Sequence, residues 1–242
     1  MKPIAIIPVR LASNRLPNKP LLKINGKTMI VLTVEKVLAS GLSFVVVATD
    51  SELIYEEVKP LEGVIPVMTS LGHTCGTERV LEAYENLKGR LGEFDVIINV
   101  QGDEPFIDPQ MLRDLIKELE KRKDQAEFWT TVTDLPEHEV EDENVAKVVT
   151  NLKNNALIFT REPLKGAYKH TSVYIYTPSF LQKFCSLPHS PLEESYQLEQ
   201  MRALDHGYHL NCIRLPYDAV SINTIEDLKK ANIQDYELYL YE

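Results

Sequence analysis

The sequence predicts an α/β fold, a mixed, mainly parallel sheet flanked by helices. Three observations carry this reading. Short, uniformly apolar runs recur in the first half of the chain, as strands covered on both faces require. Stretches of helical length separate them. Each run closes on polar or charged residues, which places those residues at the carboxyl ends of strands, where α/β folds carry their functional loops.

Ile4–Val9 reads as the first strand and leads into a basic loop. A helix is predicted over Met29–Ala39, then a strand over Phe44–Thr49 that closes on Asp50. Helices over Glu52–Val58 and Glu78–Leu87 follow, then a strand over Val96–Val100 that closes on Gln101, Gly102 and Asp103. In the second half Asn144–Thr150, Ala156–Thr160 and Ser172–Tyr176 read as strands, and Pro178–Phe184 and Leu192–Leu204 as helices. A last helix, Ile225–Ala231, is announced by Thr224 as N-cap with Asp227 three residues on, a capping box with Asp in the usual Glu or Gln position. No internal repeat or Gly/Ser linker interrupts the chain, so residues 1–242 read as a single domain.

With 242 residues, 44% of them apolar and 26% charged, the chain buries a core without disulfide staples. A formal charge of −10 repels nucleic acid and anionic membranes. Cys75, Cys185 and Cys212 are an odd number without metal-ligand spacing, which points to a reducing compartment and against a zinc site. The first ten residues are too short an apolar stretch for a secretory signal, and no run approaches the length of a membrane span. A cytoplasmic location is expected.

Against this acidic background, no acidic residue occurs from Met1 to Val34, while Lys2, Arg10, Arg15, Lys19, Lys23 and Lys27 all do. Arg10–Pro20 follows the first strand at its carboxyl end, where backbone amides and two or three cations can surround a polyphosphate. Arg supplies a planar fork and Lys a mobile point charge, a pairing suited to a triphosphate. Asp103, after a central strand, is placed to hold magnesium, which prefers oxygen ligands and bridges to phosphate, and Gly102 allows close backbone approach. His73–Arg79 opens a helix whose amides and Arg79 suit a carbonyl or phosphate. Cys75 lies in that segment, but no base is fixed beside it, and it reads as a small buried thiol. In the second half Arg161, Lys169, His170, Tyr174, Tyr176, Glu199, Gln200 and Arg202 are candidates for a polyhydroxylated acid or for structural roles. Tyr174 and Tyr176 share one strand face.

Five motifs occur in order: I-I-P-V-R-L-A-S-N-R-L-P-N-K-P-L from Ile6, A-T-D from Ala48, H-T-C-G-T-E-R from His73, N-V-Q-G-D-E-P from Asn99 and L-E-Q-M-R-A-L from Leu198. Together they resemble the 3-deoxy-manno-octulosonate (KDO) cytidylyltransferase family over almost the whole chain. The resemblance implies a Rossmann-like nucleotidyltransferase fold, a glycosyltransferase-A-like three-layer sandwich. It further implies a magnesium-dependent homodimer that transfers CMP from CTP to the anomeric hydroxyl of KDO, releases pyrophosphate and feeds lipopolysaccharide assembly. A nucleotide-binding half would cover about residues 1–130, and a sugar-binding and dimerisation half about 131–242. By motif position Arg10, Arg15 and Lys19 would hold the CTP phosphates, and Thr77, Glu78, Arg79 and Gln101 would contact the nucleotide. Asp103 would hold magnesium, and Arg161, His170, Tyr174, Glu199 and Gln200 would line the sugar site. Because transfer at phosphorus needs positioning and charge neutralisation, no protein base is expected.

The chain departs from the family pattern at several points. Asn223 stands where V-D-T-P-E-D-L supplies a second metal carboxylate; it keeps an oxygen ligand but loses a charge. Cys75 replaces a serine. The segment after Arg161 is short, and Ser172 and Ile175 replace glycines of H-x-G-x-Y-G-Y. These last changes cluster in the sugar half, so the sequence supports cytidylyl transfer more firmly than KDO itself. The alternatives are 8-amino-KDO, a sialic-acid-like substrate, or a nucleotide-sugar-binding member without turnover.

Overall fold

The computed structural model describes residues 1–13, 15–122, 124–218 and 220–239. Asn14 of the basic loop lies outside the described residues. The chain divides into two compact units, residues 1–113 with 219–242, and residues 114–218.

The first unit is built on four parallel strands, β1 (Pro3–Val9), β4 (Val45–Thr49), β5 (Val64–Met68) and β6 (Val96–Val100), in the order β6-β1-β4-β5. Two short strands, β2 (Lys23–Ile24) and β3 (Lys27–Thr28), form a small antiparallel hairpin after the basic loop. Helices α1 (Met29–Leu38), α2 (Glu52–Val58) and α3 (Gly76–Leu91) pack on the parallel strands. β4 and β6 are buried at every position, which accounts for their unbroken apolar composition. β5 escapes that pattern because Pro66 interrupts it and it is only half-buried, as a strand at the end of the order should be.

Helix α4 (Pro109–Arg122) carries the chain into the second unit. There β7 (Phe128–Asp134), β8 (Lys147–Thr150), β9 (Ala156–Thr160), β10 (Tyr168–Tyr176) and β11 (Asn211–Arg214) make mixed pairings. β11 runs parallel to β7, while β10–β7, β10–β8 and β8–β9 are antiparallel. The fold is therefore the mixed α/β class that the sequence predicts. α5 (Pro178–Ser186) is capped by the Thr177 side chain. The single helix expected over Leu192–Leu204 is instead two, α6 (Pro191–Tyr196) and α7 (Met201–Asp205), because Gln197 adopts a left-handed conformation, φ 53°, that ends the first.

β10 contains a bulge between His170 and Tyr174, with Ser172 at φ 56°. Serine thus holds a backbone conformation that favours glycine, at the position where the family pattern has one. Ile175, the second glycine replacement, lies in regular register opposite Trp129 and is fully buried.

The chain then returns to the first unit with α8 (Ile225–Lys230) and β12 (Tyr236–Glu237), which pairs with β2. Thr224 and Asp227 form the predicted capping box. Ile222 and Leu228 of this segment complete a core with Leu16, Leu22, Ile24 and Met29, directly beneath the basic loop.

Candidate active site

A cavity of about 350 Å³ opens in the first unit at the carboxyl ends of β1 and β6. Arg10, Arg15 and Lys19 enter it from the loop after β1, His73–Gly76 and Arg79 from the start of α3, and Gln101–Asp103 from the loop after β6; Asn223 enters from the returning segment.

Each contributor is placed by its backbone. Lys19 opens a short 3-10 turn, Lys19–Leu21, behind Asn18 in a left-handed conformation (φ 53°), with Pro20 next. Gly102 lies so close to the end of β1 that an added Cβ would come within 3.2 Å of the Pro8 carbonyl and of Val9. Glycine is what lets the Asp103 loop press against the basic loop. Asn223 is held from both sides. Its amide N–H and that of Thr224 both donate to Asp227 Oδ2 at 2.8 Å, and the Ile222 N–H donates to the Asp103 carbonyl at 3.0 Å. The Ser221 hydroxyl donates to Glu104, a residue that is almost fully buried.

These placements converge on one cluster. Lys19 Nζ donates to Asp103 Oδ2 at 2.7 Å and to Asn223 Oδ1 at 3.0 Å, and Arg15 Nη2 donates to the same Asn223 oxygen at 2.9 Å. Four residues selected from the sequence thus meet across more than two hundred positions of chain. Gln101 donates to Asn99 Oδ1 at 2.9 Å beneath the cavity. Arg79 is a cavity residue whose charge is already matched, by Asp50 at 2.6 Å, and it donates to Thr69 Oγ1 as well. Thr77 is fully buried in the first turn of α3, and Glu78 accepts from the amide and hydroxyl of Thr74, so neither lines the cavity. His73 does line it, and the only sequence signal for it is its place at the head of the H-T-C-G-T-E-R motif. Its ring contacts Glu82, whose carboxyl is opposed by burial yet held below the usual range by the Ser70 amide and the His73 ring.

Among the second-unit candidates, His170, Tyr174 and Gln200 come together. The His170 and Tyr174 rings lie 5.2 Å apart, and the Tyr174 hydroxyl donates to Gln200 Oε1 at 2.9 Å. His170 Nε2 is 2.8 Å from Thr130 Oγ1; burial, aided by the Arg161 charge, pushes its pKa down to about 3, so the ring is neutral. The Gln200 side-chain amide nitrogen is buried and has no partner among the described residues. Arg161 donates to the Asn144 carbonyl at 2.9 Å, and Glu199 immediately precedes Gln200. The other second-half candidates are structural. Tyr176 stacks on Phe128 at 4.7 Å in the core, Lys169 is ion-paired with Glu139 and Asp218, and Arg202 is buried against Glu193.

At the cavity a basic strand-end loop faces an aspartate and an amide oxygen. A cytidylyltransferase family model matches residues 4–213. The chain belongs to the cytidylyltransferase family. A 3-deoxy-manno-octulosonate cytidylyltransferase of a Nitratiruptor species is 41% identical, covering 96% of this chain and 99% of that protein. An 8-amino-3,8-dideoxy-manno-octulosonate cytidylyltransferase of Shewanella pealeana is 37% identical, over 93% and 94%. Among solved structures, CMP:2-keto-3-deoxy-manno-octonic acid synthetase complexed with CTP matches with a TM-score of 0.84 and 32% identity, covering 96% of this chain and 97% of that one. A cytidylyltransferase of this family is a nucleotidyltransferase.

Metal binding can be tested on the donor set. Asp103 and Asn223 direct two hard oxygens at a shared cation, Lys19 Nζ, and among the described residues no group of three His, Cys, Asp or Glu could hold a metal. Two protein oxygens fit magnesium, which binds through one or two protein ligands together with substrate phosphates and water. They do not fit an all-protein cage. Among the described residues no helix is long and apolar enough to cross a membrane.

Proposed function

We propose that the chain transfers CMP from CTP to the anomeric hydroxyl of KDO and releases pyrophosphate, as a cytoplasmic homodimer that supplies lipopolysaccharide assembly. The observation that carries this reading is the Arg15–Asn223–Lys19–Asp103 cluster in a cavity that also holds Arg10. Arg10, Arg15 and Lys19 bind the triphosphate and hold it in line for attack at the α-phosphorus, where neutralising charge and orienting the reactants lower the barrier. Lys19 exchanges its bonds to Asp103 and Asn223 for phosphate oxygens. Asp103 and Asn223 would hold magnesium, which when bound neutralises phosphate charge and acidifies the sugar hydroxyl. The α3 start and Gln101 face the rest of the nucleotide. In the second unit His170, neutral and fixed by Thr130, offers a hydrogen bond without charge, while Tyr174, Gln200, Glu199 and Arg161 recognise the hydroxyls and carboxylate of the acid.

The relatives named for the 8-amino sugar favour a second reading, activation of that acid instead. Pyrophosphate release from magnesium–CTP, measured with KDO, 8-amino-KDO and a sialic acid, separates the two. KDO is expected to give the highest kcat/KM. Release with the amino sugar alone selects the second reading, and no release with any acid while CTP binds selects a binding protein without turnover.

A further inference from the structure

We propose that this chain captures the triphosphate independently of the metal ion, and that the neutral amide of Asn223 is what permits it. The inference rests on the CTP reading above and concerns how that same site is loaded. Asn223 Oδ1 accepts from two cations at once, Arg15 at 2.9 Å and Lys19 at 3.0 Å, and Lys19 has a single carboxylate partner there, Asp103 at 2.7 Å. Arg10, Arg15 and Lys19 therefore set three positive charges against one negative charge at the cavity. The remaining cavity arginine, Arg79, is matched by Asp50 and does not alter that surplus.

An amide oxygen orients Arg15 and Lys19 without neutralising them. Their bonds to it are charge-to-dipole contacts, which a phosphate oxygen replaces at a gain, since hydrogen bonds between ionised partners are stronger. A carboxylate at 223 would make those contacts ion pairs and compete with the triphosphate for both cations. It would also place a negative charge beside the incoming phosphates. The residue that carries the acceptor is anchored, because the Asn223 backbone N–H is bonded to Asp227 and that of its neighbour Ile222 to the Asp103 carbonyl. Arg15 and Lys19 are thus gathered at one acceptor and still charged before any ligand arrives.

The test is calorimetric titration of CTP into the protein in EDTA and, separately, in excess magnesium, for wild type, Asn223→Asp and Asn223→Ala, with thermal melts of all three. Wild type is expected to bind CTP in EDTA within about ten-fold of its affinity in magnesium. Asn223→Asp should lose at least ten-fold in EDTA and recover in magnesium, whereas Asn223→Ala should stay within a few-fold of wild type in EDTA. Four results overturn the inference. Equal losses in the Asp and Ala variants would make shape, not charge, the cause. Undiminished metal-free binding by Asn223→Asp would remove the role of residue 223. Wild-type binding in magnesium but not in EDTA would refute metal-independent capture while leaving the CTP reading intact; binding in neither buffer overturns both.

Discussion

In the first unit Arg15, Lys19, Asp103 and Asn223 line an open cavity, and the Lys19 and Asp103 side chains keep 13% and 26% of their surface exposed. In the second unit Arg202 keeps 1% and its partner Glu193 10%, and Arg202 Nη2 and Nε donate to the two carboxylate oxygens at 2.6 and 2.7 Å. Both are Arg- or Lys-to-carboxylate pairs, yet water and ligand reach only one of them. The open pair holds its charges ready for exchange. The buried one is matched, and its partners have nowhere to go. The same chemistry is therefore open to exchange in one unit and sealed into the core of the other.

Arg202→Ala should break this contrast most visibly. It strands a buried carboxylate, and stability measured by urea unfolding should fall by about 3–5 kcal/mol. Asp103→Ala is the matching change at the cavity. Turnover by pyrophosphate release should drop on the order of 100- to 1000-fold, as for loss of one transition-state electrostatic contact, while the urea midpoint stays near wild type. A large loss of stability in Asp103→Ala would erase the distinction between the units.

An effect confined to acid pH comes from His170. Its pKa in the fold, about 3, lies below the ordinary 6.5, so between those values the unfolded chain takes up a proton that the native ring refuses. The neutral-pH stability is therefore present above about pH 6.5 and falls as pH drops towards 3, by about 1.4 kcal/mol per pH unit at most. Urea unfolding of His170→Gln between pH 7 and 4 should show a shallower slope; an unchanged slope would place the titration elsewhere. Smallest is Ser172→Gly. Relieving a left-handed serine should stabilise the protein by about 1 kcal/mol, a rise of a few degrees in Tm; a fall in Tm would show that the serine side chain outweighs its backbone strain.

The same contrast governs how much could be read from residues alone. β4 and β6 are unbroken Val- and Ile-rich runs, and burial on both faces leaves no alternative reading. β7, Phe-Trp-Thr-Thr-Val-Thr-Asp, hides its strand because buried threonines look polar in sequence. The break between α6 and α7 was invisible because Gln197 carries no breaker chemistry, only a backbone angle set by its surroundings. At the site, the basic loop announced itself by charge, and Asp103 by its place after a strand. Asn223 was reached only through the family pattern, since nothing local marks an asparagine 204 positions from Lys19 as its partner. Arg202 and Lys169 looked like ligand groups because sequence does not reveal whether a cation already has a buried partner.

The return of residues 220–239 to the first unit bears on how the protein is made. The floor beneath the basic loop, Leu16, Leu22, Ile24 and Met29, is closed by Ile222 and Leu228, and Asn223 arrives with them. Synthesis proceeds from the amino end, so Lys19 is translated 204 residues before Asn223, and the floor of the loop forms across a long loop closure. A nascent chain can pair β1, β4, β5 and β6 and still lack the Arg15–Asn223–Lys19–Asp103 cluster. The proposed nucleotide site is thus completed only once residues 222–228 have emerged, whatever the state of the parallel strands.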